Sequence, residues 1–304
     1  KWIIMKIQVA IKEWLVECEI RKYTPKTIRG FRTNLNIFQR FCEEELEITD
    51  MDDIDMTVIK RFTQTMIRKG YKGTYINGLL KTIKSFIQYC YEEDYGGFDT
   101  KRRGFKWVKE EKPVIKPFTP KDIRQILRNC AGNDYLSIRD TAIITTFIET
   151  GIRCAELYSI TPNDVKEDYI IIKGKNHKER LVGITPVLKK ALMRYDRVRE
   201  NYFSYKNPED YYFLSYSGKM LTNSGIEHMV KRRADGVDAN NVRISPHTFR
   251  HFFAVQSLKQ GRDLYSISQQ LGHENLQITS IYLKTLAQED VVKMAKSSSI
   301  LMNM

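Results

Sequence analysis

No stretch of this 304-residue chain is continuously apolar for the roughly 18 residues that a membrane-spanning helix requires. The opening Lys1-Trp2-Ile3-Ile4-Met5-Lys6 is broken by charge too soon to act as a secretory signal. Cysteine is scarce and unpatterned: Cys18, Cys42, Cys90, Cys130 and Cys154 are odd in number and widely spaced, mostly among apolar neighbours. That excludes a disulfide framework and predicts reduced core thiols in a cytoplasmic protein. No internal repeat or low-complexity tract is present, and strand-like alternation is missing from the first half.

Acidic residues are the minority. Lysine and arginine total 50 against 37 aspartates and glutamates, a net charge of +13 and a pI near 9.4. Residues 1–117 and the remainder share the excess, so this is not a neutral domain with a basic tail; the balance suits a polyanion contacted from two sides. The length, with 42% hydrophobic residues, predicts two domains with sizeable cores.

The first half reads as four helices. The first spans about Ile4 to Glu19. Thr24-Pro25, an N-cap followed by an N1 proline, opens a second whose Ile28, Phe31, Leu35, Phe38 and Cys42 form a buried stripe, with Lys26, Arg29, Asn36 and Arg40 facing away. A third follows Asp55 and ends at Gly70, and a fourth runs from about Thr74 to Glu93. In the fourth, Asn77, Lys81, Lys84 and Gln88 share a face opposite the apolar one, and amides with lysines on a helix suit phosphate and base-edge contacts in a DNA groove. A solvated polar face explains the same spacing. From Lys101 to Pro117, proline, glycine and the charges Arg102, Arg103, Lys106 and Lys109 signal a basic linker. The expected division is a helical domain at 1–108, a linker at 109–117 and a second domain at 118–304.

In the second half, Phe118-Thr119-Pro120-Lys121-Asp122 is a capped helix start with Phe118 as a staple residue. A long apolar helix is expected after Asp140, ending at Thr150-Gly151, and Arg153 follows with Glu156 three residues on, close enough to orient its guanidinium. Between Tyr169 and Ile184 two apolar runs flank Gly174-Lys175-Asn176-His177, a hairpin signal with a lysine at its tip. Tyr212, Phe213 and Leu214 read as a further short strand, and Leu221-Thr222 as another helix start.

The densest chemistry lies between Ser245 and Tyr282. Pro246 suits the first turn of a helix that places His247, Arg250 and His251 on one face among phenylalanines. Charge held in such a setting is costly unless paired or used. Three readings compete: core histidines beside a surface arginine; a metal site from the His-x-x-x-His spacing plus His273, which lacks the glutamate of a zinc-protease motif; and a phosphate clamp.

In order along the chain, Thr150-Gly151-Ile152-Arg153, Gly174-Lys175, His247-Thr248-Phe249-Arg250-His251, Leu271-Gly272-His273 and Tyr282 resemble the motifs of the tyrosine recombinase family, which includes phage integrases and Xer proteins. The match covers about residues 119 to 290, and the helical first half is similar to that family's core-binding domain. The resemblance implies a mainly α fold with a small antiparallel β-sheet (α+β) in a two-domain DNA clamp. It implies that Tyr282 attacks a DNA phosphodiester to leave a 3′-phosphotyrosyl bond, with His247 as general base and Lys175 protonating the departing 5′-oxygen. Arg153 and Arg250 would bracket the non-bridging oxygens, His273 would add a hydrogen bond, and Glu156 would hold Arg153 or His247. Lys173 and Lys178 are alternatives to Lys175, because the loop departs from the glycine that follows the lysine in many relatives.

The family reading needs neither metal nor ATP, so no cofactor is expected. Expected partners are double-stranded DNA sites and a homotetramer on two duplexes passing through a Holliday junction. Apolar Val291, Val292, Met294, Ala295, Ile300, Leu301 and Met302 are available to dock on a neighbouring protomer. Lys26, Arg29, Asn77, Lys81, Lys84, Gln88, Arg102 and Arg103 are the candidate DNA contacts. The first helix begins almost at once, so the expectation is a compact bacterial, phage or mobile-element enzyme on short core sites, without an added N-terminal arm-binding domain. Alternatives from the same residues are a type IB topoisomerase or telomere-resolvase-like enzyme, and a DNA-binding regulator that does not cut.

Overall fold

A computed structural model describes residues 5–110, 117–174, 178–237, 242–273, 275–280 and 282–283, leaving aside the side chains of Arg103 and Ile278. The chain divides into two compact units, Lys1–Pro113 and Val114–Met304.

In the first unit, α1 (Ile7–Ile20), α2 (Pro25–Leu46), α3 (Met56–Arg68) and α4 (Gly73–Glu92) follow the caps. Thr24 Oγ1 accepts from Thr27 N, and Asp55 accepts from the backbone of Thr57 and Val58. All three bonds satisfy amide groups that a helix start leaves unpaired. The helices close on aromatic residues, with Phe38 edge-on to Phe62 at 5.4 Å and Trp14 edge-on to Phe86 at 5.9 Å. Each buried phenylalanine is worth roughly 1.5–3 kcal/mol of apolar burial.

The expected linker does not begin at Lys101. Asp99 caps a short helix, α5 (Thr100–Arg103), and Phe105 is buried in the core of the first unit. The α4 side chains Asn77 and Gln88 hold this segment down, which a charge run alone does not reveal.

The second unit begins with α6 (Pro120–Asn129), closed by the reciprocal Thr119–Asp122 capping box, with Phe118 buried against Phe249. Helix α7 (Tyr135–Thr150) starts earlier than expected, because Asp134 caps it through Ser137 N. Asp140 lies inside the helix, fully buried, and is neutralised by Arg139, Arg232 and Arg233. A short helix, α8 (Cys154–Tyr158), leads to the hairpin of β1 (Tyr169–Lys173) and β2 (Glu179–Gly183), antiparallel with Ile172 opposite Arg180. Helix α9 (Pro186–Phe203) packs on α7. The run Tyr212–Leu214 is no strand; its one ladder contact is an isolated Leu214–Met220 bridge. After α10 (Asn223–Arg233) come α11 (Pro246–Lys259), α12 (Leu264–Leu271) and α13 (Leu276–Ser280). Phe253, Val255, Leu258, Ile267, Leu271 and Tyr282 form a small apolar cluster of their own, which seats the tyrosine. The fold is thus mainly helical with a small antiparallel sheet. No described helix is long and apolar enough to cross a membrane.

Candidate active site

Helices α7 and α12 both end on glycines in the left-handed region, Gly151 at φ +63° and Gly272 at φ +65°. A helix C-terminus leaves carbonyls without intrahelical donors and carries partial negative charge, so cations are favoured there. Three arginines from three elements answer these carbonyls. Arg250 of α11 donates through Nη1 to Gly151 O at 2.8 Å and through Nη2 to Leu271 O at 2.6 Å, tying the two helix ends together. Arg153 donates to Gly272 O at 3.2 Å, and Arg180 of β2 donates through Nε to Gln270 O at 2.8 Å. Three consecutive carbonyls of one helix end therefore aim three guanidiniums.

Glu156 joins two of them. Its carboxylate accepts from Arg153 N and Nη1, both at 2.8 Å, and from Arg180 Nη1 and Nη2 at 3.0 and 2.8 Å. Burial alone would raise its pKa, but the bonds and charges of Arg180 and Arg153 outweigh that and hold it below the usual carboxylate range. The side chain of Glu156 is 6% exposed, that of Arg180 15% and that of Arg153 43%, so of the three Arg153 is the group that faces solvent.

Tyr282 is buried at 3% exposure, near enough to Arg250 for the guanidinium to act on its hydroxyl. Its ring stands edge-on to His251 at 5.0 Å and near-parallel to His273 at 6.2 Å. Burial pushes the phenol above its ordinary pKa, while Arg250 and Arg153 pull it down. Burial lowers Arg250 to about 10, and the facing charge of Arg153 adds to this. Crowded guanidiniums of this kind gain from an anion placed between them.

All three imidazoles are held neutral at pH 7. Burial, then Arg250, Arg153, Arg180 and His247, pushes His273 down to about 4. Burial, then His247 and Arg250, does the same to His251. His247, exposed in the first turn of α11, is lowered by partial desolvation from its neighbours, then by Arg250, Arg153 and Arg243. His273 Nδ1 is engaged by Thr279 Oγ1 at 2.7 Å, which leaves Nε2 as the ring nitrogen not used by that bond. Among the described residues no group of three histidines, cysteines or carboxylates could hold a metal ion.

The structure thus brings Arg153, Glu156, Arg250, His273 and Tyr282 into one connected set, with His247 at its rim. Lys175 lies outside the described residues, as do the apolar residues from Val291 onward. Lys173 is ion-paired with Asp164 at 2.7 Å. Arg180 was missed: it lies on the same strand face as buried Val182, whereas Leu181, the residue apolar patterning would bury, is 62% exposed. An inward arginine two residues before Val182 was the available signal.

Two of the candidate DNA contacts are corrected. Asn77 is buried; its amide donates to Val108 O and Glu110 at 2.9 and 2.7 Å and accepts from Val108 N at 2.9 Å. Gln88 accepts from Thr100 N and Oγ1 at 2.9 and 2.7 Å. The Asn77 amide and the Gln88 carbonyl oxygen replace missing partners of the segment from Thr100 to Glu110, while the Gln88 amide nitrogen donates to Glu92 at 2.9 Å. Lys26, Arg29, Lys81 and Arg102 are exposed, and half-buried Lys84 places its ammonium 5.9 Å from the Trp107 ring centre. The side chain of Arg103 lies outside the described set.

Residues 116–289 match the family model described as Phage integrase family, and residues 11–94 match Phage integrase, N-terminal SAM-like domain. The chain belongs to the phage integrase family of tyrosine recombinases. It is a DNA strand-transfer enzyme, a tyrosine site-specific recombinase. Tyrosine recombinase XerC of Thermodesulfovibrio yellowstonii is 30% identical over 261 residues, covering 84% of both chains. Tyrosine recombinase XerD of Staphylococcus haemolyticus is 28% identical over 280 residues, covering 91% of this chain and 94% of that one. Among solved structures, a lambda integrase tetramer bound to a Holliday junction superposes with a TM-score of 0.74 at 14% identity, covering 92% of this chain and 77% of that one. The XerH recombinase bound to a palindromic difH substrate gives 0.73 at 17%, covering 93% and 82%. At those identities the likeness is one of fold.

Proposed function

We propose that this recombinase cuts and rejoins DNA through a covalent bond between Tyr282 and a 3′-phosphate, and exchanges strands through a Holliday junction to integrate, excise or transpose a mobile element. The observation that carries the reading is buried Tyr282, edge-on to His251 and near-parallel to His273, set within the charges of Arg250 and Arg153. A phenol is a weak nucleophile until its proton leaves. Neutral His247 accepts that proton, the tyrosyl oxygen bonds to phosphorus, and the bond from phosphorus to the 5′-oxygen breaks. Lys175 supplies the proton that the departing 5′-oxygen takes up. Arg153 and Arg250 stabilise the charge that builds on the non-bridging oxygens, for which removing one such donor costs on the order of 10²–10³ in rate. The phosphotyrosyl link conserves the phosphodiester, so attack by a new 5′-hydroxyl reseals the strand.

By likeness to the lambda integrase tetramer on its junction, the acting species is four protomers on two duplexes, with the segment beyond the described residues docking on a neighbour. The setting is a bacterial cytoplasm. The match to XerC and XerD along most of both chains favours a second reading, Xer-type resolution of dimers. The experiment takes a duplex selected from a random library by its binding. Two labelled copies of the site should yield joint molecules and then exchanged strands; relaxation of supercoiled DNA without any joined product would replace recombination by topoisomerase action. Efficient resolution of directly repeated sites, with no joining of separate circles, would move the reading to dimer resolution.

A further inference from the structure

We infer that Arg180 is a positioning residue of strand cleavage, setting the charge and aim of Arg153 through their shared carboxylate; this rests on the role proposed above for Arg153. Glu156 paired with Arg153 alone would form a neutral couple, a poor partner for a phosphate. Arg180 clamps the same carboxylate with both terminal nitrogens, so two cations stand over one anion and the set keeps one positive charge. Arg180 and Glu156 are shielded from solvent while Arg153 is not, so the surplus charge is presented through Arg153. A carboxylate this deeply buried is costly when underpaired. Without Arg180, Glu156 would draw Arg153 inward to replace the lost bonds.

Arg180 also fixes the helix end that bears His273. Its Nε donates to Gln270 O, and Gly272 lies so close that a Cβ there would meet Arg180 Nη1 at 3.0 Å and Cζ at 3.1 Å. The guanidinium therefore fits a groove made by Gln270, Gly272 and Glu156, and links β2, α8 and the end of α12. A lysine could restore its charge but not this forked geometry.

The test uses the full chain and the selected duplex, nicked so that cleavage is trapped, with the rate of adduct formation measured at saturating DNA. Misplacing a reacting group costs on the order of 10²-fold, and Arg180→Ala is expected to lose about that much in cleavage rate while binding DNA as the wild type does. Arg180→Lys should recover part of it, with melting followed for both variants. The distinguishing readout is a duplex whose scissile phosphate carries a methyl group in place of one non-bridging oxygen. That linkage has no charge for Arg153 to meet, so the deficit of Arg180→Ala should shrink on it as that of Arg153→Ala does. Equal deficits on both duplexes would reduce Arg180 to a fold-supporting role and overturn the inference, as would wild-type rates in Arg180→Ala. Failure of the wild type to form an adduct would instead overturn the reading on which the inference rests.

Discussion

Tyr282 stands edge-on to His251 at 5.0 Å, one residue along α11 from Arg250, whose charge acts on its hydroxyl within the same chain. Nucleophile and charge stabiliser therefore come from one protomer, and cleavage is expected in cis. Tyr282→Phe and Arg250→Ala should each abolish or reduce strand cleavage by 10²-fold or more, on the order of a lost preorganised donor. Mixing the two variants on one DNA should restore nothing. Adduct formation by the mixture would mean that one protomer delivers its tyrosine to another.

A general base works only while unprotonated, so the rate falls as pH drops through the pKa of His247. Partial desolvation and the charges of Arg250, Arg153 and Arg243 lower that pKa from the ordinary imidazole value of 6.5. The acid limb of the cleavage rate should therefore lie below pH 6.5. Arg243→Gln removes one of these charges outside the clamp and should move the limb upward. A limb that stays in place across this change would exclude His247 as the titrating group.

The fold itself should become less stable in mild acid. His251 is buried, its Nε2 has no hydrogen-bond partner among the described residues, and its pKa is pushed down to about 4. Between the unfolded value of 6.5 and the folded value of about 4, only the unfolded chain takes up the proton, so stability is lost as pH falls through that window. Lowering the pH from 7 to 5 should cost on the order of 2 kcal/mol from this residue. Denaturant titrations of the wild type and His251→Gln should show the variant with the flatter dependence; parallel curves would contradict the assignment.

Gly151 combines a positive φ with close packing. A Cβ there would lie 2.6 Å from Phe253 Cδ1 and 2.7 Å from Leu271 Cδ2, while the Gly151 carbonyl receives Arg250. Gly151→Ala should destabilise the second unit by roughly 2–4 kcal/mol, from left-handed strain plus overpacking. Cleavage should fall further than the loss of folded protein explains, because the same shift moves Arg250. Unchanged melting would contradict this packing.

The corrected amides separate DNA contact from scaffold. Lys81→Ala is expected to weaken DNA binding and reduce its salt dependence by about one released counterion. Asn77→Ala should leave the salt slope alone and lower the melting temperature, since three hydrogen bonds to residues 108 and 110 are lost. A changed slope in Asn77→Ala with an unchanged melt would reinstate it as a DNA contact.

Most of the site was legible in the sequence because its residues sit in short motifs beside glycines and caps whose local conformation is strongly determined. Thr24-Pro25, Asp55 and Thr119 marked helix starts for the same reason. What escaped depends on partners far along the chain. The helix expected after Asp140 starts at Tyr135, because Asp140 is buried in its interior by Arg139, Arg232 and Arg233. Asn77 and Gln88 read as a polar face until the segment from Thr100 to Glu110 folds over them. Arg180 is hidden by a strand register in which it points inward while Leu181 faces solvent, the reverse of what hydropathy suggests.

The central claim concerns one oxygen atom among the 17 tyrosines of the chain. The direct measurement is to trap the wild type on the nicked duplex, digest protein and DNA in the adduct, and locate the nucleotide on the peptides by mass spectrometry. A nucleotide joined through its 3′-phosphate to Tyr282, and no adduct from Tyr282→Phe, is the predicted result. Attachment to any other residue, linkage through a 5′-phosphate, or an undiminished adduct from Tyr282→Phe would contradict it.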